Sequence, residues 1–511
     1  MSNEQVNMPQ FPEPIWKAAI DIPKFPKLIE DIEVDIAIVG GGITGITTAY
    51  LLAKEGYKIA LIEAGELLNG TTAHTTAKIT AQHGLIYDEL INTVGKEQAK
   101  LYYEANCEAI DFMRNTIREL DIDCDLTDED AYIYTDSDEY LSKLKLEEKA
   151  YEELGIDGDL VNQLPIDFQV KAALKMKNQA QFHPLKYLKP LVEYIQQANG
   201  LIFENTTATD VDYQDLPLVI TSEGLKVKSK YVCACTHFPF YDGLGFYPTR
   251  MYAERSYLIA IKPEKIVSEG MYINAEQPTR SVRYMNHNGE SILLVGGENH
   301  KTGQGIPTIL HYEALEEFAH QSFGIKEYLY RWSAQDLTTL DKIPYIGQIT
   351  NNHQNVLVAT GFRKWGMTNS TVAALLLKDL IIGNTNRFEE VFSPSRFNGN
   401  PSVKEFLSTN LDVAKHLIEG KLEYPLRDVR DLQNDEGSVV NVNGKRAGAY
   451  RDEEGKLFVV DTTCTHLGCE IEWNSGDRTW DCPCHGSRFS IVGDVIEGPA
   501  ESPLEKINLV E

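Results

Sequence analysis

Cys464, His466 and Cys469 stand in one short stretch of this chain, and Cys482, Cys484 and His485 in another. Two thiolates with two imidazoles suit a tetrahedral zinc ion, or the kind of 2Fe-2S centre in which histidine replaces cysteine on one iron. In both cases a Cys-His pair from each stretch must face the other, so the scaffold has to hold two loops together. The other four cysteines, Cys107, Cys124, Cys233 and Cys235, are scattered and read as buried thiols.

A second chemistry is written near the N-terminus. Val34, Ile36, Ile38 and Val39 form an apolar run that ends in Gly40, Gly42 and Gly45; a second run, Tyr57 to Ile62, ends in Glu63. The pattern predicts strand, tight turn, helix over about Thr44 to Lys54, and strand. The first glycine permits the turn, the second lets backbone approach a pyrophosphate, and the third lets the helix pack close. The helix N-terminus then faces the phosphates, and Glu63 is placed to bind a ribose hydroxyl. This context favours a bound dinucleotide over an ordinary glycine-rich turn. The Gly- and Thr-rich loop that follows, Asn69 to Thr80, puts Thr71, Thr72 and His74 where a second contact to the cofactor can form. Much later, a strand over Asn355 to Gly361 gives way to Phe362-Arg363-Lys364-Trp365-Gly366-Met367 and a helix from about Thr368 to Ile382, so another helix N-terminus leaves a glycine-containing turn.

Around these sites, periodicity predicts helices over Gly95 to Leu120, over Asp138 to Leu154 between Ser137 and Gly155, and over Pro184 to Asn199 before Gly200. Short strands dominate from Leu201 to Val295, suggesting a mostly antiparallel sheet, and return after Glu423 in a small β domain. The segment from Gly383 to Ser402 is dense in Pro, Ser, Asn and Gly and marks a boundary. The apolar residues from Val403 to Ile418 then fit one face of a linking helix. The expected domains are residues 1–395, with a substrate subdomain mainly within 201–340, a linker and helix over 396–420, and a C-terminal domain over 421–511. The 511 residues, 42% hydrophobic, can bury a large core, and the net charge of −28 would repel nucleic acid across most of the surface. No apolar run is long enough to span a membrane, and the N-terminus lacks a secretory pattern, so the expected location is cytoplasmic.

The C-terminal constellation resembles the Rieske motif, in the disulfide-bearing form of respiratory quinol-oxidising complexes. The resemblance implies that Cys464 and Cys482 bind one iron of a 2Fe-2S cluster and His466 and His485 the other. It further implies that Cys469 and Cys484, for which a zinc site would have no use, form a disulfide, and that Ser487 donates a hydrogen bond to the cluster. Where high-potential members carry a tyrosine two residues after that serine, this chain has Phe489. One hydroxyl donor is missing, so the expected potential lies below the upper end of the range of about −150 to +300 mV.

Residues from about Val34 to Gly383 resemble FAD-dependent oxidoreductases of the D-amino-acid oxidase and glycine oxidase type. The Gly40 loop, Glu63, Ile343-Pro344-Tyr345-Ile346-Gly347 and Ala359-Thr360-Gly361 carry the likeness. The whole chain is similar to bacterial fusions of such a flavin domain with a C-terminal Rieske domain. The implied architecture is α/β, a Rossmann-like FAD-binding domain with an antiparallel-sheet substrate domain, plus a small all-β Rieske domain. FAD is the implied first cofactor, and Gly361, Gly366, Met367 and Thr368 stand where the family aims a helix N-terminus at the flavin. Gly70-Thr71-Thr72-Ala73-His74 resembles the loop in which dimethylglycine dehydrogenases bond a histidine covalently to FAD; His74 as a noncovalent neighbour of the flavin is the other reading.

At the substrate end the likeness fails. Asp336 stands where glycine oxidases have the arginine that pairs with an amino-acid carboxylate, and Lys364 falls near their second arginine. Asp336 then either meets an amine cation or forms a structural ion pair with a neighbour. Arg283 and Tyr257 are further pocket candidates. The expected reaction takes a hydride from a C–H bond beside an amine nitrogen of a small molecule to FAD. Electrons then pass singly through the cluster to an external acceptor, such as a small redox protein or a quinone, from an exposed histidine side. Flow from cluster to flavin, or a sensory role, are the competing readings.

Overall fold

The apolar run Ile36–Val39 is buried on both faces and lies at the centre of a six-stranded sheet. Strand order in that sheet is 345–348, 356–360, 231–234, 36–39, 59–62 and 201–203, parallel except for the antiparallel edge strand Tyr345–Gln348. Such doubly buried parallel strands read as continuous apolar runs, which is why the two runs flanking the glycine loop were recognisable. The helices Ile43–Lys54 and Gly366–Ile382 pack against one another beside this sheet, each starting at a turn that follows a strand. The computed structural model describes residues 8–508 other than 19, 169, 214, 268, 397–407, 409, 414, 418–426 and 443.

A second, nine-stranded sheet is ordered 325–339, 251–263, 290–301, 280–287, 271–274, 127–135, 172–181 and 78–79, with 158–161 paired onto 172–181. It is antiparallel apart from the parallel pair Met271–Asn274 and Thr127–Thr135. The expectation of a substrate unit mainly within 201–340 therefore needs correction. Strands before residue 201 complete this sheet, while 201–203 and 231–234 belong to the parallel one. Period-2 alternation cannot say which sheet a short strand joins; pairing partners decide it.

The long helices fall at Lys96–Glu119, Asp138–Leu154 and Pro184–Gln197. Ser137 occupies the N-cap position without a side-chain cap bond, and Gly155 closes that helix in the left-handed region with φ 73°. The third helix stops before Asn199, which itself adopts φ 60°. The C-terminal domain is a three-stranded sheet (436–442, 445–451, 457–460) and a four-stranded one (472–474, 479–481, 488–489, 495–497). Of the expected linking helix, residues 408, 410–413 and 415–417 are helical, and the rest lies outside the described residues. No helix among the described residues is long and apolar enough to cross a membrane.

Candidate active site and cluster site

A cavity of about 670 Å³ runs from the glycine loop to the inner face of the nine-stranded sheet. Gly40 has φ 108°, which only glycine adopts freely, and a Cβ there would run into the Cys235 carbonyl. Gly42 lines the cavity and is the N-cap of the helix Ile43–Lys54. Gly45 does not line it; a Cβ at Gly45 would collide with the Gly40 carbonyl oxygen, so this glycine lets the helix sit against the turn. Glu63 lines the cavity and accepts from Gly41 N–H at 2.7 Å and Gly65 N–H at 2.8 Å, while burial pushes its carboxyl up. Thr71, Thr72 and His74 form a short 3-10 turn in the cavity wall. Thr72 Oγ1 accepts from Ile43 N–H at 3.0 Å. His74 Nδ1 is 2.9 Å from the Gly70 carbonyl, which makes Nδ1 the donor and leaves Nε2 for another bond; burial holds the imidazole below its ordinary pKa.

Of the late turn, Gly366 and Met367 line the cavity, and Gly366 opens the helix Gly366–Ile382 with nothing facing it within 4 Å. Gly361 and Thr368 are placed differently from expectation. Gly361, at φ 77°, packs on Thr339 behind the wall, and the Thr368 hydroxyl turns to the Thr80 carbonyl and His83, each at 3.1 Å. Both support the turn, since the helix buries this side of its first turn.

Asp336 and Lys364 come together in the cavity wall, 3.6 Å apart, with Lys364 also hydrogen-bonded to Ser256. Burial pushes Asp336 up to about 6, against the lowering pull of Lys364. Arg283 lies outside the wall: its guanidinium clamps the Thr76 and Ala77 carbonyls at 2.9 and 2.8 Å. Tyr257 contributes to the lining, but its ring is stacked on His311 and its hydroxyl lies 2.9 Å from His300 Nε2. Lys78, which sequence reasoning missed, lines the cavity with its amine on the Tyr272 carbonyl and Ser281 Oγ, and is pushed down to about 7 by burial and by Arg283. Nothing in its local pattern separates it from a surface lysine.

In the C-terminal domain the two loops bring the expected ligands together. The Cys464 and Cys482 thiols are hydrogen-bonded to each other, and the His466 and His485 rings stand 5.1 Å apart at 88°. Cys469 and Cys484 are disulfide-bonded, and Cys482 lies within 4.8 Å of both their sulfurs. The Ser487 hydroxyl meets the Cys464 thiol and accepts the Ala500 N–H at 3.0 Å; Phe489 is fully buried. His485 Nδ1 is buried without a hydrogen-bond partner among the described residues, which leaves its lone pair open to iron. The donor set, two thiols and two imidazoles, fits a 2Fe-2S centre, and the glycine cradle with the open space before Gly366 fits a dinucleotide.

The histidine side is only partly open, with His466 half-buried and His485 buried. His485 is 7% exposed, and the next residue, Gly486, packs on Gln335 and Ala253 of the nine-stranded sheet, with its carbonyl accepting from Gln335 at 3.0 Å. The His466 ring stands edge-on to Phe238, 6.1 Å between centroids, and Phe238 lines the cavity. The C-terminal domain also contributes Arg488 and the segment Val495–Glu501 to the cavity wall. No periodicity or motif announced that contribution.

The sequence profile of the FAD dependent oxidoreductase family matches residues 35–380, and that of the Rieske [2Fe-2S] domain matches residues 423–508. The chain is 54% identical to the putative Rieske 2Fe-2S iron-sulfur protein YhfW of Bacillus subtilis (strain 168), over 98% of both chains. It is 22% identical to the gamma-glutamylputrescine oxidoreductase of Escherichia coli (strain K12), over 71% of this chain and 87% of that one. Among solved structures, glycine oxidase from Geobacillus kaustophilus superposes with a TM-score of 0.58 at 18% identity, covering 72% of this chain and all of that one. With its glycine cradle, its paired Cys-His loops and these matches, the chain belongs to the FAD-dependent oxidoreductase family and carries a fused Rieske 2Fe-2S domain.

Proposed function

We propose that this enzyme oxidises a small amine and passes the electrons singly from FAD, through the Rieske cluster, to an external acceptor. The observation that carries the coupling of the two sites is Phe238, which lines the cavity and meets His466. Bound FAD supplies a two-electron acceptor for a hydride, and the cluster a one-electron carrier. Gly40, Gly42, Glu63, Thr72, Gly366 and Met367 hold the flavin. Asp336 orients the amine: its carboxylate, once ionised, attracts an ammonium group, and Lys364 holds it in place. The names of two relatives, glycine oxidase and gamma-glutamylputrescine oxidoreductase, support an amine-bearing substrate.

The direction rests on the substrate cavity lying at the flavin end, where an oxidised amine gives its electrons to the flavin first. Anaerobic mixing of the holoprotein with a panel of primary and secondary amines tests the proposal. A substrate should bleach the flavin first and then produce the EPR signal of the reduced cluster. Bleaching that never reaches the cluster would overturn the proposed route, and reduction of the cluster ahead of the flavin would reverse its direction.

A further inference from the structure

Ser256 of the strand Met251–Pro263 lines the cavity, while its neighbour Arg255 is fully buried against the C-terminal domain. The two carboxylates that pair with Arg255 among the described residues, Glu497 at 2.7 Å and Asp481 at 3.7 Å, both belong to the C-terminal domain. Its own domain adds neutral acceptors, Ser333 Oγ at 2.8 Å and Gln335 Oε1 at 3.5 Å. Within the C-terminal domain Arg488 faces Asp477, Asp481 at 3.2 Å and Glu497 at 3.8 Å, one cation among three carboxylates. Each domain thus carries charge that the other neutralises. Removing one partner while the domains stay docked strands the rest without compensation, which is the costly case for a buried ion pair.

Glu497 also belongs to the segment Val495–Glu501 that walls the cavity, and in that same segment Ala500 N–H bonds Ser487 Oγ beside Cys464. One short piece of chain therefore touches the flavin cavity on one side and the shell of the cluster on the other. Among the described residues Arg255 is the flavin-domain side chain that hydrogen-bonds it.

We propose that Arg255 and Glu497 form an interdomain latch, a pair of positioning residues that hold Val495–Glu501 against both cofactor sites and so set the rate at which electrons cross from flavin to cluster. The latch rests on the flavin-to-cluster reading above and adds to it the residues that keep the two centres in register. No covalent bond changes in the step: reduced flavin loses one electron and one ferric ion of the cluster gains it.

The test uses the full-length holoprotein with Arg255→Met, Glu497→Gln and the double change. The flavin is photoreduced anaerobically, and cluster reduction is followed by freeze-quench EPR. Flavin and iron contents should match the unmodified protein, while transfer slows by about tenfold or more in each single variant, and the double variant is no slower than the slower single one, as expected for two halves of one contact. Arg255→Lys, which keeps the charge, should restore most of the rate. Unchanged transfer in both single variants would overturn the latch.

If the variants do not fold, hydrogen exchange in the unmodified holoprotein decides: backbone amides of 495–501 should be protected together with those of 251–258, and rapid exchange in 495–501 would overturn the latch. Failure of the functional reading looks different. The unmodified protein would then pass no electrons from flavin to cluster, while the exchange pattern would still report on the latch.

Discussion

All four proposed cluster ligands lie between Cys464 and His485, on two loops whose disulfide joins Cys469 to Cys484, whereas the flavin cavity takes its walls from Val39 through Glu501. The first site is nearly local. Its ligands are set by loop spacing and held by a small sheet, and little outside that domain is needed to bring them together. The second is assembled: the glycine turn, the 71–74 turn, two long strands, the late helix and a loop of the C-terminal domain converge only in the folded chain. A local site tolerates damage elsewhere, and an assembled one transmits it. The two meet at Phe238 and at Val495–Glu501, so the assembled site borrows part of its wall from the domain of the local one.

The most severe way to separate the two is Cys464→Ser. One iron ligand is lost, and the cluster EPR signal and close to all cluster iron should disappear, while flavin absorbance remains. Loss of the flavin as well would show that the cluster, and not merely the fold around it, maintains the cavity.

Next in size is Asp336→Asn, which removes the buried acid but keeps its shape. Interaction with an ammonium group should weaken by about 2 kcal/mol, lowering kcat/KM for an amine substrate roughly 30-fold. In the unmodified enzyme Asp336, with its pKa near 6, is protonated below that pH and charged above it, so kcat/KM for an amine should rise as pH increases through about 6. A profile without that step, or an Asn variant of unchanged kcat/KM, would reduce Asp336 to a structural partner of Lys364.

Acid tests the interface itself. Burial alone would raise Asp477 and Glu497, but Arg488 and Arg255 outweigh it and hold both carboxyls at about 2. Folded values lie below the unfolded ones of about 4, so their contribution is complete above about pH 4.5 and is lost as pH falls toward 2. Thermal unfolding followed separately by flavin fluorescence and by cluster absorbance should give a Tm that drops steeply over that window. A Tm flat from pH 5 to 2.5 would mean that these carboxylates contribute little to docking.

The smallest effect is electronic. Phe489→Tyr offers the cluster the hydroxyl it lacks; one hydrogen bond of about 1 kcal/mol, favouring the reduced state, should raise the cluster potential by about 40 mV in a redox titration. An unchanged potential would mean that the buried ring is held away from the cluster sulfurs.

Legibility followed the same division. The Rieske motif, the glycine turn and the long helices could be read because each depends on residues close in sequence, through loop spacing, positive φ or a 3.6-residue period. The family resemblance places Gly361 and Thr368 at the cofactor, yet the second side of that turn is packed on Thr339, Thr80 and His83. Arg255 carries no signal in the sequence, because a charged residue in a strand ordinarily marks the solvent face. Here the strand has no solvent face at that point: Ser256 looks into the cavity and Arg255 into another domain.

The chain alone therefore determined which cofactors it is built for, since a glycine turn with Gly40 at φ 108° and paired Cys-His loops are chemical requirements expressed over a few residues. Tertiary structure decided where the two sites stand relative to one another. It set His466 against Phe238, brought Lys78, Asp336 and Lys364 to one cavity, and set Arg255 on Glu497 across 242 positions of sequence. Contacts of that separation depend on how whole sheets pair and dock, and no short window of sequence carries that information.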